Sequence, residues 1–208
     1  MFFIAIMYSK IGIIMTTIKK RITTPKQLSE EMRRHSPLKK NIVVKNEDDP
    51  YENYTKIMNK LYLGNKIAAK DPSFIKSKNI KAVLNCSKKR DIPNYFRDSD
   101  IEYMRVPVDD SLKKKDFEDM YKLLPSMVEF IHKHVDVLKQ PTFVHCYAGR
   151  QRSVCAIVCY LMSKHNMTPE QACKTVLGKR KEAFHYGLSV NFDQTIYKFY
   201  NDLIKKSK

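Results

Sequence analysis

Residues 141–162 restrict the possible folds of this chain more than any other segment. Residues 141–145 form a short apolar run typical of a buried strand, and residues 154–162 form a longer run typical of a helix packed on both sides. A strand that leads directly into a helix is typical of an α/β sheet, in which ligands bind at the carboxyl ends of the strands. The intervening loop is therefore predicted to lie at a helix N-terminus on the binding edge of such a sheet.

The loop contains the residue types that bind and attack a phosphate group. Cys146 precedes Arg152 by six positions, and the five residues between them can curl so that successive N–H groups point inward. The helix dipole and the unpaired N–H groups favour an anion and favour thiolate over thiol, which makes Cys146 a candidate nucleophile. Arg152 can hold two phosphoryl oxygens, and Ser153 can donate a hydrogen bond to the sulfur.

Neighbouring residues are predicted to support this loop. Ala148 and Gly149 keep its wall thin, and His145 can orient it from the strand side. The alternative is a buried cysteine in a strand-to-helix turn with an unrelated arginine nearby. That alternative does not explain the strand, the spacing and the Arg-Ser end together.

Residues 145–153 resemble the H-C-x5-R-[ST] signature of the cysteine-dependent protein tyrosine phosphatase superfamily. The Ala-Gly pair and the modest chain length point to its dual-specificity branch, and the similarity extends from Lys56 to Asp202. The resemblance implies a tyrosine phosphatase-like α/β fold. It also implies a phosphate site formed by Tyr147, Ala148, Gly149, Arg150, Gln151 and Arg152. The branch usually has a small residue or a serine at the position of Gln151, and Arg150 adds a second charge to the loop. Both differences bear on substrate preference rather than on catalysis.

A cysteinyl phosphatase also needs a general acid, because the leaving oxygen must be protonated. Asp109 and Asp110 follow the strand-like residues 101–108 and precede a lysine-rich stretch, so we expect them on a loop. In the resembling family the acid is commonly the third residue after the proline that ends this strand, which favours Asp110. The alternative is that both carboxylates cap the helix starting near Asp116 or face solvent.

The resemblance implies a reaction in two steps. Cys146 attacks the phosphorus while Asp110 protonates the leaving group, and water then hydrolyses the cysteinyl phosphate with the same aspartate as base. No metal or other cofactor is expected. In agreement, the sequence has no Cys-x-x-Cys pair and no His-Glu-x-x-His motif.

Strand-like and helix-like segments alternate along the chain. Strands are predicted at residues 56–63, 80–85 and 101–108, with a short helical pair at residues 65–76. Longer helices are predicted at residues 117–134, 168–181 and 189–204, and Pro125 should kink or break the first of these. The order predicts a single α/β domain with a central, mostly parallel sheet flanked by helices.

The chain is predicted to divide into an N-terminal extension, residues 1–52, and a catalytic domain, residues 53–206. Residues 1–14 are apolar but too short to span a bilayer, which leaves a gene-model extension, disorder or an anchor as explanations. Residues 24–34 can form a helix, and residues 39–49 are typical of a charged linker into the domain. An N-terminal helix contributes to dimerisation in the small poxvirus-type phosphatases that the chain resembles in size and layout, so a homodimer is one hypothesis.

The charge of the chain bears on its substrates. Its 208 residues have a net charge of +17, with dense basic runs at residues 88–90, 113–115 and 178–181. Such a surface attracts phosphoproteins, RNA or anionic lipid without specifying which. A phosphoprotein is the favoured substrate, with phosphotyrosine and phosphoserine or phosphothreonine as targets. An RNA 5′-triphosphatase, a phosphoinositide phosphatase and a phosphate-binding adaptor without activity are the alternatives.

The cysteines bear on the compartment. The chain has five of them, an odd number without the spacing of a disulfide framework. A reducing compartment fits this composition best, so an intracellular, cytoplasmic location is predicted. The abundance of Lys, Ile and Asn is typical of an A/T-rich genome, such as that of a large DNA virus, in which case a virion location is also open.

Overall fold

A computed structural model describes residues 52–96, 99–111, 113–184 and 192–206. The strands are β1 (Tyr54–Met58), β2 (Leu61–Gly64), β3 (Ala82–Asn85), β4 (Glu102–Arg105) and β5 (Thr142–His145). The helices are α1 (Lys66–Ala69), α2 (Pro72–Ser77), α3 (Lys114–His132), α4 (Arg152–Lys164), α5 (Pro169–Lys179) and α6 (Asp193–Lys206). A π-helical turn, Lys133–Val137, extends α3. Apart from Glu52, the predicted N-terminal extension lies outside the described residues. The helix on which the dimerisation hypothesis depends lies outside them as well.

The five strands form one sheet in the order β1-β2-β5-β3-β4. All neighbours are parallel except β1 and β2, which confirms the predicted mostly parallel sheet. The central strand β5 pairs with both β2 and β3, so that His145 lies opposite Gly64 on one side and Asn85 on the other. Because these strands run in the same direction, the loops at their carboxyl ends lie side by side at one edge.

Helices cover both faces of the sheet, as the sequence predicts. On one face, α2 contributes Phe74 and Ile75 and α1 contributes Ala68 and Ala69 to a small apolar cluster with Phe143. On the other face, α4 lies at the centre, in contact with α3, α5 and α6. Residues 152–162 of α4 are all buried, which confirms the helix packed on both sides that its continuous apolar sequence predicts.

The strand predicted at residues 56–63 is wrong in one respect, because the structure divides it into the antiparallel hairpin of β1 and β2. The turn consists of Asn59 and Lys60, and Lys60 has a φ of +65°. Hairpin turns of two residues need such positive φ values and usually show glycine there. The Lys60 carbonyl oxygen accepts a hydrogen bond from the Thr142 N–H at 2.8 Å, so pairing with β5 supports a turn whose sequence carries only a weak signal.

Pro125 does not break α3, which continues as one helix to His132. The proline lies on the solvent-exposed side, while Leu124, Met127 and Val128 are buried against the core. Packing of the buried face therefore maintains the helix despite the hydrogen bond that proline removes.

Helix starts are closer to prediction. Thr168 and Gln171 form a capping box at the start of α5, and Asn65 and Asp71 cap the two short helices α1 and α2. Strand β4 is shorter than predicted because Pro107 interrupts the run, although the Val106 N–H still donates to the Asn85 carbonyl at 2.9 Å.

Candidate active site

The loop between β5 and α4 turns sharply at the carboxyl end of the central strand. Gly149 has a φ of +68°, in the left-handed region that glycine adopts without strain. A Cβ atom at this position would lie 2.5 Å from the Gly64 carbonyl oxygen, and one at Gly64 would lie 2.8 Å from the Phe143 ring. Gly149 therefore allows the loop to approach the backbone at the end of β2, and Gly64 allows β2 to pack closely against Asn53 and the Phe143 ring.

Cys146 lies at the base of this loop with 1% of its surface exposed. Burial raises the pKa of the thiol, whereas the Arg152 charge, the Ser153 hydroxyl and the backbone N–H groups of Ser153 and Arg150 lower it. The lowering effects prevail, so the pKa of Cys146 is below the ordinary value. Ser153 Oγ donates to Cys146 Sγ at 3.3 Å. The loop therefore favours the nucleophilic thiolate.

Arg152 begins α4, and its guanidinium reaches the connection that leads from β4 to α3. Nη1 donates to the Val108 carbonyl oxygen at 3.0 Å, and Nη2 lies 3.2 Å from Asp110 Oδ2. Nε is buried and has no hydrogen-bond partner among the described residues. Burial lowers the pKa of Arg152, but the charges of Cys146 and Asp110 raise it, and the net shift is upward. This permanently charged fork can present Nε to a phosphoryl oxygen.

The two candidate acids have different partners. Asp109 binds the Lys88 ammonium and lies 3.6 Å from Arg90 Nη2, and the hydrogen bond from Lys88 is the main reason that its pKa is lowered. Asp110 is 40% exposed and contacts Arg152 within the loop. A carboxylate held by two cations is a poor proton donor, whereas Asp110 lies beside the group that would bind the phosphate. The geometry therefore favours Asp110 over Asp109 as the acid.

His145 is buried below the nucleophile. Its ring stacks on Phe143 with centroids 5.1 Å apart, and Nδ1 has no hydrogen-bond partner among the described residues. Burial lowers its pKa to about 3, against the upward effect of a backbone hydrogen bond at Cys146. His145 is therefore neutral at physiological pH and can support the loop through packing and hydrogen bonding, but it contributes no positive charge.

The remaining loop residues differ in exposure. The Tyr147 side chain points outward and is 47% exposed, whereas Ala148 and Arg150 are half-buried. The Arg150 carbonyl accepts a hydrogen bond from the Phe184 N–H at 2.8 Å. Gln151 is buried, and in the described part of the chain neither atom of its side-chain amide has a hydrogen-bond partner. The residue that departs from the usual loop sequence is thus also the one whose polar atoms are least satisfied.

Arg180 supports the loop in a role that sequence analysis missed. Its position in the basic run at residues 178–181 suggests a surface charge, but the structure places it in the interior with 1% exposure. Nε donates to the Gly149 carbonyl at 2.9 Å, and Nη1 donates at 3.0 Å to both the Glu52 carbonyl and Thr55 Oγ1. Burial is the main reason that the pKa of Arg180 is lowered. One guanidinium thus joins the loop to β1 and to the residues before it.

The described residues contain neither a metal-binding cluster nor a membrane-spanning helix. Within residues 52–96, 99–111, 113–184 and 192–206, no group of three or more His, Cys, Asp or Glu side chains is placed to hold a metal ion. No helix in these ranges is long and apolar enough to cross a membrane.

Comparison with known proteins agrees with this geometry. The sequence model of the family described as "Dual specificity phosphatase, catalytic domain" matches residues 61–202. Human dual specificity protein phosphatase 21 is 31% identical over 115 residues, which cover 55% of this chain and 56% of that protein. The phosphatidylglycerophosphate phosphatase PTPMT1 of Arabidopsis thaliana is 48% identical over 58 residues, which cover 25% of this chain and 17% of that protein.

The chain thus spans about half or less of the length of these two relatives. Among solved structures, that of PTPMT1 in complex with PI(5)P superimposes with a TM-score of 0.61 at 20% identity and covers 76% of this chain and 100% of that one. This likeness concerns the fold. Since the family match extends over most of the chain and includes the loop at Cys146 and Arg152, the chain belongs to the dual specificity phosphatase catalytic domain family.

Proposed function

We propose that the chain is a dual-specificity protein phosphatase that hydrolyses phosphotyrosine and phosphoserine or phosphothreonine through a cysteinyl phosphate. The observation that carries this proposal is that Arg152 interacts with both the proposed nucleophile and the proposed acid. It lowers the pKa of the Cys146 thiol and also contacts the Asp110 carboxyl group. Nucleophile, anion-binding group and acid therefore share one site, and membership of the family supports the substrate class.

In the first step, the Cys146 thiolate attacks the phosphorus and the bond to the leaving oxygen breaks. Protonated Asp110 transfers its proton to that oxygen, so the alcohol leaves neutral and Asp110 becomes a carboxylate. Arg152 and the loop N–H groups stabilise the charge on the equatorial oxygens. Because these groups belong to the chain, the mechanism needs no metal or cofactor.

In the second step, water attacks the phosphorus of the cysteinyl phosphate and Asp110 takes a proton from it. The sulfur then leaves as a thiolate, stabilised by the hydrogen bond from Ser153 Oγ at 3.3 Å. Inorganic phosphate is released, and Asp110 is again protonated. In this proposal Ser153 contributes most to the second step, because the thiolate is the leaving group there.

The test is hydrolysis of a small aryl phosphate by the unmodified chain and its Cys146→Ser variant. We expect turnover to fall by roughly 10³-fold or more in the variant, because a hydroxyl in the same place lacks a base to activate it. An inert unmodified chain with a phosphate affinity equal to that of the variant would instead support the adaptor without activity. Circular dichroism of both proteins checks that the fold is retained.

A lipid phosphate is the second candidate substrate. The observation that favours it is the 48% identity to PTPMT1 over 58 residues, together with the additional charge of Arg150 in the loop. A panel of phosphotyrosine and phosphothreonine peptides, a phosphoinositide and a 5′-triphosphorylated RNA separates the alternatives. Highest kcat/KM on the peptides supports the protein phosphatase, and highest kcat/KM on the lipid or the RNA contradicts it.

We also propose an intracellular, cytoplasmic location. All five cysteines are free, and a thiolate nucleophile is active only while it is reduced. Both features suit a reducing compartment. Fractionation of expressing cells, with the protein recovered in an extracellular or membrane fraction, would contradict this proposal.

A further inference from the structure

The connection between β2 and α1 forms one wall of the active-site loop. The Lys66 backbone N–H donates to the Tyr147 carbonyl oxygen at 3.0 Å, one residue after the nucleophile. The preceding residue is fixed as well, because Asn65 caps α1 with its side chain and its N–H donates to the Asn53 carbonyl at 2.9 Å. The backbone of Lys66 is therefore held in a defined position next to the entrance of the site.

The side chain of Lys66 lies along the outer side of Tyr147. Its Nζ is 3.8 Å from the centroid of the Tyr147 ring, in a cation–π contact, and also contacts the Tyr147 hydroxyl group. Tyr147 is exposed, and so is the next residue of α1, Ile67. The ammonium, the phenol and the isoleucine thus form a surface beside the active site, which we call the Lys66 rim.

The Lys66 rim differs in charge from the opposite side of the site. There, Lys88 and Arg90 are both paired with Asp109. Lys66, by contrast, has no carboxylate oxygen within 4.0 Å in the described part of the chain. An ammonium without a carboxylate partner among the described residues, at the entrance of a catalytic site, can attract a negative group of the substrate.

The distances suit a neighbouring side chain of a peptide substrate. Adjacent Cα atoms are about 3.8 Å apart, so Tyr147 begins next to the nucleophile and its ring extends outward from there. An extended peptide advances roughly 3.3–3.6 Å per residue, so a side chain one or two residues from the phosphorylated residue reaches the ring and the ammonium above it. A carboxylate at that place can accept hydrogen bonds from Lys66 Nζ and from the Tyr147 hydroxyl.

We propose that the Lys66 rim is a specificity subsite that selects phosphopeptides with an Asp or Glu next to the phosphorylated residue. This inference rests on the proposed protein phosphatase function. The ion pair is partly exposed, so its contribution is modest, and we expect about a twofold to fivefold preference in kcat/KM. Salt should reduce this preference because it screens exposed charges.

The experiment compares two phosphotyrosine peptides that differ only in Glu against Gln next to the phosphotyrosine. The ratio of their kcat/KM values is measured for the unmodified chain, Lys66→Met and Lys66→Glu. We expect a ratio above one for the unmodified chain, a ratio near one for Lys66→Met and a ratio below one for Lys66→Glu. The matched control is Lys70→Met, which removes an exposed lysine from the other end of α1 and should leave the ratio at its original value.

An unchanged ratio in Lys66→Met would overturn the inference, and so would an equal fall in Lys70→Met, which would indicate a general effect of net charge. Both results would leave the proposed phosphatase function intact, because the peptides would still be hydrolysed. If the unmodified chain hydrolyses neither peptide but does hydrolyse a phosphoinositide, the proposed function fails and the inference fails with it. Thermal unfolding of each variant shows whether a changed ratio accompanies an intact fold.

Discussion

The neighbouring parallel strands β3 and β5 are each succeeded by a buried cysteine, yet the loops that begin there differ in chemistry. Asn85 and His145 lie opposite each other in the sheet, so Cys86 and Cys146 come next at the same level. Both are almost completely buried. Burial raises the pKa of Cys86 well above its ordinary value, and the nearby Cys146 adds to this effect, whereas the pKa of Cys146 is lowered. Position at the strand end is therefore not sufficient to make a nucleophile.

The difference lies in the residues on the C-terminal side of each cysteine. After β5, the chain curls into the start of α4, so that N–H groups and the Ser153 hydroxyl face the sulfur. After β3, the chain continues as an irregular segment, and the Ser87 hydroxyl donates to the Asn85 side chain instead of to a sulfur. The Arg152 charge, the Ser153 hydroxyl and the N–H groups at a helix N-terminus thus distinguish the reactive thiol of Cys146 from the inert buried thiol of Cys86.

Each loop also binds one of the two adjacent aspartates. The loop after β3 holds Asp109 through Lys88 and Arg90, and the loop after β5 holds Asp110 through Arg152. Consecutive residues therefore belong to different sites, one structural and one that we propose to be catalytic. Four pairs of variants test this division.

The pair with the largest expected effect is Cys146→Ser and Cys86→Ser. We expect the first to lose roughly 10³-fold or more of kcat on an aryl phosphate and the second to retain activity within about threefold, because of these two thiols only that of Cys146 has a lowered pKa. Steady-state kinetics and trapping of the cysteinyl phosphate by mass spectrometry measure the difference. Equal losses in the two variants would contradict the division between the loops.

The second pair is Asp110→Asn and Asp109→Asn. General acid catalysis typically contributes about 10²–10⁴-fold, so we expect kcat on a substrate with a poor leaving group to fall by about 10²-fold in Asp110→Asn. The same variant should lose less on a substrate whose leaving group needs no proton. Asp109→Asn should lose less than about tenfold, since it breaks only the ion pairs with Lys88 and Arg90. Reversal of this order would assign the acid role to Asp109.

The third pair compares the arginines that support the two loops. Arg180 donates to the Gly149 carbonyl after β5, and Arg105 donates to the Ser87 carbonyl at 2.9 Å after β3. Replacement of either by lysine loses hydrogen bonds to buried carbonyls, at about 1–3 kcal/mol of unfolding free energy. We expect only Arg180→Lys to lower kcat as well, by roughly tenfold, because it positions the nucleophile loop.

Two measurements separate these effects. Urea unfolding reports the stability of both variants, and the pH profile of kcat/KM reports the environment of the sulfur. If Arg180→Lys displaces the nucleophile loop, the acid limb of its profile should move. The acid limb of Arg105→Lys should stay in place, because Arg105 supports the loop after β3. If both variants lose stability and neither profile moves, Arg180 has only a structural role.

The fourth pair, Ser153→Ala and Ser87→Ala, tests the smallest effect. The Ser153 hydroxyl stabilises the thiolate, so its removal should raise the pKa of Cys146. Activity requires the thiolate and is lost as pH falls through that pKa, so the acid limb of kcat/KM should move to higher pH, by about one unit or less. Ser87→Ala should leave the limb in place, since Ser87 donates to Asn85. A shift toward lower pH in Ser153→Ala would contradict this role.

The fold class and the order of most elements were predictable from the sequence because the apolar runs have clear periods. The same holds for Cys146, Arg152 and Ser153, because the spacing in the loop is a local feature. The position after a strand indicated Asp109 and Asp110 equally, and only the family resemblance favoured Asp110, which the structure places beside Arg152. The division of residues 56–63 into a hairpin was not predictable, since the turn at Asn59 and Lys60 contains no glycine.

Long-range contacts were equally inaccessible to sequence analysis. Nothing near Arg180 distinguishes it from its neighbours Lys179 and Lys181, and its partners Glu52 and Thr55 lie more than a hundred positions away. Pro125 shows the opposite limit, since the break that a local rule allowed does not occur and packing of the buried face keeps α3 in one piece. Local patterns identify chemistry, whereas tertiary contacts determine which residues support it.

The contacts of Arg180 determine how far the chain can be shortened before the loop is affected. The family match begins at residue 61, which suggests that a fragment starting there would be complete. Such a fragment would lack the Glu52 carbonyl and the Thr55 hydroxyl, and the Arg180 guanidinium would lose both of these acceptors. A minimal recombinant domain for crystallisation or inhibitor screening should therefore begin before Glu52, because the first residues of β1 are part of the scaffold of the active site even though they lie far from the chemistry.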